Sequence, residues 1–331
     1  MKKIYTAITG VASYVPEDKL TNEDITKMVD TSDEWIYSRV GIKERRILKG
    51  DTLGSSYLGS KALDALLEKT GTTSDEVEVI ICTTSNPDYR FPATAAVIAD
   101  RSGVKNCFAY DIQAACTGFL VALQVGKAYI NSGLYKKVVI ISAEKMTSSV
   151  NYKDRATCPL FGDAAAAVLL EPTYDAVGVI DTLLHTDGDG IPYLQMHGGS
   201  AAPITHGMID RNEQFLYQEG RTVYKYAVSN MIDVYTQIMV RNQLTNEDVS
   251  WFIPHQANAR IIDAVGSRLG IAPEKVIMNI EKFGNTGSAS IPLCLSQFET
   301  QFCKGDNLLF TAFGAGFTWG STYVKWAYDS K

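Results

Sequence analysis

The feature of the sequence that most constrains its fold is an internal repeat of strands and helices. An apolar strand predicted at 249–253 answers one at 77–81, and each is followed by a polar turn and a helix that ends at a glycine. A strand at 306–311 answers one at 137–142, again at an offset near ~170 residues, as a duplicated unit requires. Strands that alternate with helices predict mainly parallel sheets covered by helices. The sequence therefore predicts an α/β fold of two pseudo-symmetric halves.

A third match concerns the centre of each half. The strand at 107–110 leads through a turn of small residues to a helix that starts at about Thr117. In the second half, a predicted strand at 275–280 answers that strand, and a helix at 288–298 answers that helix. The two turns are therefore expected to occupy equivalent places.

The boundary between the halves is placed at Glu171-Pro172, where the last strand of the first half ends. We expect one half at 1–172, which contains Cys116, and the other at 173–331, which contains His255 and Asn285. The polar segment 185–220, with its His, Gly and Asp residues, predicts a loop or lid.

Composition excludes several classes of protein. Hydrophobic residues make up 46% and charged residues 21% of the 331 residues, which is typical of a folded globular protein. The net charge of -6 argues against a general nucleic-acid binder. No apolar stretch approaches the ~20 residues of a membrane span. The six scattered cysteines contain no CxxC pair, so we expect reduced thiols and a cytoplasmic protein.

Cys116 lies where the first central helix is predicted to begin. A thiol there faces the unpaired N–H groups and the positive end of the helix dipole, which favour the thiolate. A buried structural cysteine is the commoner fate of this residue type. Position alone leaves both interpretations open.

The repeat brings two further side chains toward Cys116. Equivalent turns at strand ends should meet at the centre of the molecule, where α/β sheets place their sites. His255 follows the strand at 249–253, and Asn285 lies in the turn equivalent to that of Cys116. Singly, each has an ordinary role, as a hydrogen-bonded loop histidine or a turn-forming asparagine. Together the three favour a catalytic site.

The glycine-rich stretch 313–320 follows a predicted strand but lacks the dinucleotide fingerprint, because its third glycine is misplaced and no βαβ unit follows. Its backbone N–H groups predict either an oxyanion site or only a tight turn between strands. His185, His197 and His206 have no metal-ligand spacing, so no metal site is predicted.

Six motifs occur in a fixed order along nearly the whole chain. They are Val29–Ile36, Ala114–Phe119, Leu160–Asp163, Pro254–Asn258, Gly284–Thr286 and Gly314–Gly320. In this order they resemble the β-ketoacyl-acyl carrier protein synthase III family of thiolase-fold condensing enzymes. One motif alone would indicate only the superfamily.

The resemblance implies a thiolase-like five-layered αβαβα fold and a homodimer. It also implies an acyltransferase that starts type II fatty acid synthesis by joining a short acyl-CoA to malonyl-acyl carrier protein with loss of CO2, without a cofactor. In that reaction Cys116 carries the acyl group, and His255 and Asn285 stabilise the malonyl enolate. The backbone N–H groups of Cys116 and Ala315 would hold the second oxyanion.

The same resemblance assigns binding residues. Trp35 stacks on the CoA adenine, with Arg39 and Arg155 beside it, and Asn258 lies along the pantetheine. Phe91 reaches across the dimer to close the partner's acyl pocket, which would favour short starters.

Phe313, which opens the terminal glycine-rich motif, is also assigned to substrate binding. For the acidic carrier protein the family's basic face corresponds to Lys225, Arg260 and Arg268, of which the last two share one side of a predicted helix.

The chain departs from the family pattern in three places. Ala164–Ala167 stand where the family usually has interspersed glycines, Ala315 stands for the middle glycine of the terminal loop, and Arg221 stands where the family often has Asn. The added methyl groups remove no chemical group, so they put the starter, and not the reaction, in question. The remaining alternatives are a specialised enzyme with an unusual starter, a catalytically silent partner subunit, and a Cys-His-Asn hydrolase in which Asn orients His.

Overall fold

The computed structural model describes residues 2–329, which form two main β-sheets with helices around them. The strands are β1 (Tyr5–Tyr14), β2 (Lys19–Thr21), β3 (Glu44–Arg46), β4 (Val79–Thr83), β5 (Phe108–Ile112), β6 (Val138–Lys145), β7 (Asp163–Thr173), β8 (Gly178–Thr186), β9 (Leu194–Gln195), β10 (Tyr217–Gln218), β11 (Trp251–Pro254), β12 (Asn307–Gly314) and β13 (Thr318–Lys325). The helices are α1 (Asn22–Thr26), α2 (Asp33–Val40), α3 (Ser55–Thr70), α4 (Thr94–Arg101), α5 (Gly118–Asn131), α6 (His206–Asp210), α7 (Gly220–Arg241), α8 (Ala259–Leu269), α9 (Ile280–Phe283) and α10 (Ser290–Phe298).

The two main sheets have the same pairing pattern. The first has the order β1-β7-β6-β4-β5, and the second has the order β8-β13-β12-β11. In the order given, the first two pairings of each sheet are antiparallel and the third is parallel. These are β1-β7, β7-β6 and β6-β4 in the first sheet, and β8-β13, β13-β12 and β12-β11 in the second. The predicted duplication is therefore confirmed in the topology.

The helices and sheets form five layers. Helices α5 and α10 lie between the two sheets, α3 and α4 cover the outer face of the first sheet, and α7 and α8 cover that of the second. The sequence of α5 is apolar on most sides, as a helix enclosed by two sheets requires. Gly126 on α5 allows close approach to the first sheet, since a Cβ there would lie 2.5 Å from Leu170 Cδ1. The predicted αβαβα fold is confirmed.

The prediction of mainly parallel sheets was wrong. Each sheet contains two antiparallel pairs, because β6 reaches β7, and β12 reaches β13, without a helical crossover. A parallel neighbour needs such a crossover, whereas an antiparallel one needs only a turn or loop.

The predicted strand at 275–280 was also wrong. Only an isolated parallel bridge joins Val276 to Phe252, with Ile277 N–H donating to Phe252 O at 2.9 Å. Beyond it, the Gln256 side chain accepts from the backbone N–H groups of Asn279 and Ile280 at 3.0 and 3.3 Å. These side-chain bonds satisfy backbone groups that a strand would otherwise pair, so the edge of the second sheet ends after one bridge.

The segment predicted as a loop or lid contains short elements. Within 185–220 lie a 3₁₀ turn at Gly188–Tyr193, the β9–β10 pair and the short helix α6. The predicted boundary at Glu171-Pro172 lies within the last residues of β7, which pairs with β1 as far as Thr173. The division at residue 172 stays a prediction. None of the helices within residues 2–329 is long and apolar enough to span a membrane.

Candidate active site

Cys116 lies in a 3₁₀ turn, Ala115–Thr117, between β5 and α5. The turn begins with Ala115 at φ 45°, in the left-handed region that non-glycine residues seldom adopt. Gly314, at the end of β12, packs directly on it, because a Cβ there would lie 2.8 Å from Cys116 N. The glycine of the other half therefore lets the backbone of the second sheet approach the nucleophile's turn.

Burial raises the pKa of the Cys116 thiol to about 12, and the Glu144 carboxylate adds to the rise, while the backbone N–H of Cys116 opposes it. The thiol is therefore protonated near neutral pH. This direction is opposite to the thiolate expected from its place at a helix start, because desolvation is the largest cause of the shift. This residue nevertheless lines a cavity of about 1040 Å³.

His255 follows β11 and is 2% exposed. Its backbone N–H donates to Thr311 O on β12 at 2.8 Å, and its Nδ1 lies 2.7 Å from Ser290 Oγ at the start of α10. Its Nε2 has no hydrogen-bond partner among residues 2–329. Burial lowers the pKa of His255 to about 3, so the imidazole is neutral at physiological pH.

Asn285 lines the same cavity as Cys116, from the turn before α10. Its Oδ1 accepts from Gly287 N–H at 2.9 Å, which leaves the Nδ2 amide as its free hydrogen-bonding group in the described part of the chain. Its backbone is held by the 160–162 segment of the first half, with Asn285 N–H donating to Leu160 O at 2.8 Å. The expected turn chemistry thus orients the side chain as a donor.

Asn285 does not orient His255, because the partner of His255 Nδ1 is Ser290. A Cys-His-Asn hydrolase needs an Asn that holds the imidazole as a base. The geometry therefore disfavours the hydrolase alternative.

Glu144, which the sequence interpretation missed, links the loop after β4 in the first half to the turn before α10 in the second half. Its carboxylate accepts from Ser288 Oγ at 2.8 Å and from Ser85 N–H at 2.9 Å. Burial raises its pKa, and the bonds from the Ser85 and Ser288 groups oppose this rise. A charged residue at the carboxyl end of a buried strand, β6, was the signal that could have indicated it.

Ala315 lies between β12 and β13 and also lines the cavity. Its carbonyl accepts from Thr318 Oγ1 at 3.1 Å, and that hydroxyl in turn accepts from Thr117 Oγ1 at 2.9 Å. No residue within 2–329 accepts from the Ala315 N–H. The turn thus joins two strands and presents an N–H without a described acceptor, and its role as an oxyanion site stays a prediction.

Trp35, Arg39 and Arg155 come together on the surface. The Arg155 guanidinium lies 4.2 Å from the centroid of the Trp35 ring, and that of Arg39 lies 5.8 Å from it. Trp35 is half-buried on α2, with both arginines exposed around it. An aromatic plane with two cations is suited to a phosphate-bearing nucleotide.

The other predicted binding residues lie apart from the catalytic group. Asn258 caps α8, where its Oδ1 accepts from Arg260 N–H at 2.9 Å. Phe91 is 86% exposed and follows the cavity-lining residues Tyr89 and Arg90. Phe313 is 4% exposed and packs on Phe317 in the core between the second sheet and α7. The structure therefore does not bring Phe313 to the cavity.

The predicted basic residues lie on two helices that pack together. Lys225 is exposed on α7, and Arg260 and Arg268 are exposed on α8. The Arg260 guanidinium lies 5.8 Å from the Tyr224 ring centroid. Exposure fits a surface for a partner but also any solvated face.

The segment 185–220 forms much of the cavity wall. Its residues 194–200 line the cavity together with Gln218 from β10 and Gln113, which follows β5. Arg90 donates to Gly198 O and so joins this segment to the loop before α4. Within residues 2–329 no three His, Cys, Asp or Glu side chains form a group that could hold a metal ion. The absence of a cofactor stays a prediction.

Comparison with known proteins finds the same family over the whole chain. The family model "3-Oxoacyl-[acyl-carrier-protein (ACP)] synthase III" matches residues 110–188, and the model of its C terminal matches residues 239–326. A β-ketoacyl-[acyl-carrier-protein] synthase III of Bacteroides thetaiotaomicron is 54% identical over 332 aligned positions, covering 100% of this chain and 99% of the relative.

Solved structures agree with this result. The crystal structure of 3-oxoacyl-[acyl-carrier-protein] synthase III from Aquifex aeolicus superposes with a TM-score of 0.90 at 38% identity, covering 97% of this chain and 100% of that one. The priming β-ketosynthase of the R1128 polyketide pathway superposes with a TM-score of 0.91 at 28% identity, covering 99% and 98%. The predicted resemblance is confirmed, and the chain belongs to the 3-oxoacyl-[acyl-carrier-protein] synthase III family.

Proposed function

We propose that this protein is a β-ketoacyl-acyl carrier protein synthase III, an acyltransferase that condenses a short acyl-CoA with malonyl-acyl carrier protein. The observation that carries the proposal is the shared cavity, in which a thiol from one half faces an amide donor and a free backbone N–H from the other. That arrangement provides a nucleophile and two separate sets of donors. A decarboxylative condensation through an acyl-cysteine needs these groups.

In the first step, Cys116 Sγ attacks the acyl-CoA carbonyl. The C–S bond to CoA breaks, and an acyl thioester forms on Cys116. The thiol proton leaves with the departing CoA sulfur, so the step is balanced without an external base. The high pKa of the resting thiol is compatible with this transfer, because the proton ends on another thiol.

In the second step, the malonyl C–C bond breaks and CO2 departs. The electron pair becomes an enolate, whose oxygen accepts hydrogen bonds from His255 Nε2–H and Asn285 Nδ2–H. A neutral His255 suits this role, since it can donate a hydrogen bond without giving up a proton. The enolate carbon then attacks the acyl group, and the Cys116 sulfur leaves and takes up a proton from solvent.

The oxyanion formed on the acyl group would be held by the backbone N–H groups of Cys116 and Ala315. Ala315 supports this role because its N–H has no other partner within 2–329 and its carbonyl is fixed by Thr318. An alanine in place of the family glycine keeps the donor, since the donor belongs to the backbone.

Three surfaces supply the proposed binding roles. The Trp35, Arg39 and Arg155 group would hold the CoA nucleotide, with its aromatic plane against adenine and its cations near the phosphates. Asn258, whose Oδ1 caps α8, keeps its Nδ2 for the pantetheine. In addition, we assign the exposed cations Lys225, Arg260 and Arg268 to docking of the acidic carrier protein.

A homodimer is part of the proposal. Strand β5 is the edge strand of the first sheet, and Phe108 on it is 51% exposed. Phe91 is 86% exposed near the cavity, where a second copy could bury it. Two apolar rings beside an unpaired strand edge favour a partner sheet. All six cysteines are free, in keeping with a cytoplasmic protein, and the proposed chemistry needs no cofactor.

The proposal is tested by separating the two steps. Purified protein is incubated with a panel of acyl-CoAs, and the acyl-Cys116 adduct is identified by mass; labelled CO2 release from malonyl-acyl carrier protein is then measured. We expect short acyl groups on Cys116, and we expect His255→Ala to keep acylation but to lose CO2 release. If His255→Ala blocked acylation and left CO2 release intact, the assignment of roles would be wrong.

A second candidate is a priming enzyme with an unusual starter, which the similarity to the R1128 priming β-ketosynthase favours. The residues that line the cavity include the polar side chains of Gln113, Gln195 and Gln218. The same acyl-CoA panel distinguishes the two, because a protein that is labelled only by bulky or functionalised starters would support the second candidate.

A further inference from the structure

Ser290 joins the histidine to the rest of the second half. It is the first residue of α10, 1% exposed, and its Oγ lies 2.7 Å from His255 Nδ1. The same oxygen accepts from the backbone N–H of Gln256 at 3.3 Å. A hydroxyl with two neighbours of this kind can decide which nitrogen of the imidazole carries the proton.

The Gln256 N–H is held in place and cannot turn away. The Gln256 side chain is itself fixed by hydrogen bonds at both ends, with Nε2 donating to Pro254 O at 2.8 Å and Oε1 accepting from Asn279 N–H at 3.0 Å. It is fully buried. Ser290 Oγ therefore always accepts one hydrogen bond from the Gln256 N–H.

The hydroxyl proton of Ser290 then has one described acceptor, His255 Nδ1. If Nδ1 were unprotonated, it would accept that proton, and both Ser290 Oγ and His255 Nδ1 would be paired. If Nδ1 were protonated, it would donate to Ser290 Oγ. The hydroxyl proton of Ser290 would then have no described acceptor, and a buried donor would be left unpaired. Unsatisfied buried donors are costly, so the hydrogen bonds favour an imidazole protonated at Nε2.

We propose that Ser290 is a positioning residue that holds His255 as the Nε2–H tautomer, the form that can donate to the malonyl enolate. This inference rests on the proposed function for the identity of that enolate, but the tautomer itself does not depend on it. Asn285 is oriented as a donor by Gly287, and His255 would be oriented as a donor by Ser290. Both donors are thus set by neighbours at the start of α10, Gly287 in the turn before it and Ser290 as its first residue.

The test measures the tautomer and the two reaction steps in Ser290→Ala. Protein with ¹⁵N-labelled imidazoles is examined by NMR near neutral pH, and the His255 signals are assigned by their loss in His255→Ala. We expect wild type to show a protonated Nε2 and an unprotonated Nδ1, and Ser290→Ala to gain Nδ1–H. Loss of the oriented donor should slow CO2 release by at least about 10-fold, with acyl-enzyme formation within about 2-fold of wild type.

Two further variants serve as a control and as a rescue. Ser296→Ala removes a hydroxyl farther along α10 that bonds to Ser13 at 3.0 Å, and it should change neither tautomer nor rate. Ser290→Thr keeps the hydroxyl and should restore the Nε2–H signal. A wild-type His255 protonated at Nδ1, or a Ser290→Ala protein that keeps Nε2–H while losing CO2 release, would overturn it. An Nε2–H signal in a protein that makes no ketoacyl product would contradict the proposed function alone.

Discussion

The two turns that precede the central helices have the same backbone but different chemistry. Ala115 at φ 45° and Gly287 at φ 57° each begin a 3₁₀ turn that leads into α5 or α10. The next residue is Cys116 in the first half and Ser288 in the second. Cys116 faces the cavity, whereas Ser288 donates to the Glu144 carboxylate at 2.8 Å.

This difference shows how a duplicated unit can divide one reaction between its copies. The thiol of the first turn remains free to react, while the hydroxyl of the second is tied to Glu144 and anchors its turn. The second turn instead contributes Asn285, at the place where the first has Gln113, and both line the cavity. In the proposed function, the shared backbone places the groups, and single side chains would decide which step each turn serves.

The largest expected effect comes from removing the thiol of the first turn. Cys116→Ser should lower the rate of ketoacyl formation by more than about 1000-fold, because no acyl thioester can form on the enzyme. Product formation and the mass of the protein after incubation with acyl-CoA measure it. Cys303→Ser, at an exposed cysteine, is the matched control and should retain full activity. An acyl adduct on a residue other than Cys116 would contradict the division between the turns.

The second turn should fail at the other step. Asn285→Ala removes one enolate donor and should slow CO2 release by about 100- to 1000-fold, the cost typical of losing one donor from such a site. Acylation of Cys116 should persist, as shown by mass after incubation with acyl-CoA. Equal loss of both steps would mean that the turns do not have separate roles.

The first and second sheets should differ in how their contribution to the stability of the fold depends on pH. Strand β7 begins with the buried Asp163, whereas β13 begins with the uncharged Thr318. Burial raises the pKa of Asp163 from 3.8 to about 6, opposed by bonds from the Leu48 and Thr147 N–H groups. A group whose pKa is raised in the folded state stabilises the fold below its unfolded pKa, and this contribution is lost as pH rises through the folded value.

Wild type should therefore lose stability relative to Asp163→Asn as pH rises from 4 to 8, by about 3 kcal/mol in total for a shift of this size. Urea denaturation of both proteins at several pH values gives this difference. Thr318→Val, at the equivalent position of β13, should show the same pH dependence as wild type. A difference between wild type and Asp163→Asn that stays constant with pH would refute the raised pKa.

The smallest expected effect tests whether position alone makes a thiol reactive. Ser288→Cys would place a thiol at the second turn's equivalent of Cys116, in a Cys116→Ala background. Since Ser288 is 1% exposed, we expect this thiol to react with iodoacetamide about 100-fold more slowly than Cys116 does in wild type. Alkylation at comparable rates would show that the two turns are interchangeable.

Much of this comparison could be predicted from the sequence. The repeat of buried strands and helices located both turns, and the position of Cys116 at a helix start, taken together with His255 and Asn285, favoured it as the nucleophile. These features depend on neighbouring residues and on periodicity, which a single sequence displays. The strand expected at 275–280 does not form, because the side chain of Gln256, which is distant in sequence, accepts hydrogen bonds from backbone N–H groups of this segment.

The electrostatics of the site could not be predicted in this way. Local position indicated a thiolate at Cys116, but the enclosing walls come from both halves and raise its pKa instead. Glu144 and Ser288 are 144 residues apart in sequence, and His255 and Ser290 are 35 apart. Hydrogen bonds between such distant residues leave no periodic pattern, so the positioning groups were found only in the structure.

The central claim, that the turn of Cys116 and the turn of Asn285 serve different steps, is tested most directly by CO2 release without the nucleophile. Cys116→Ala and Asn285→Ala are each mixed with malonyl-acyl carrier protein carrying a labelled carboxylate, and released CO2 is counted. Cys116→Ala should still release CO2, because the His255 and Asn285 donors are intact, whereas Asn285→Ala should release at least about 100-fold less. Release by Asn285→Ala with none from Cys116→Ala would contradict the claim.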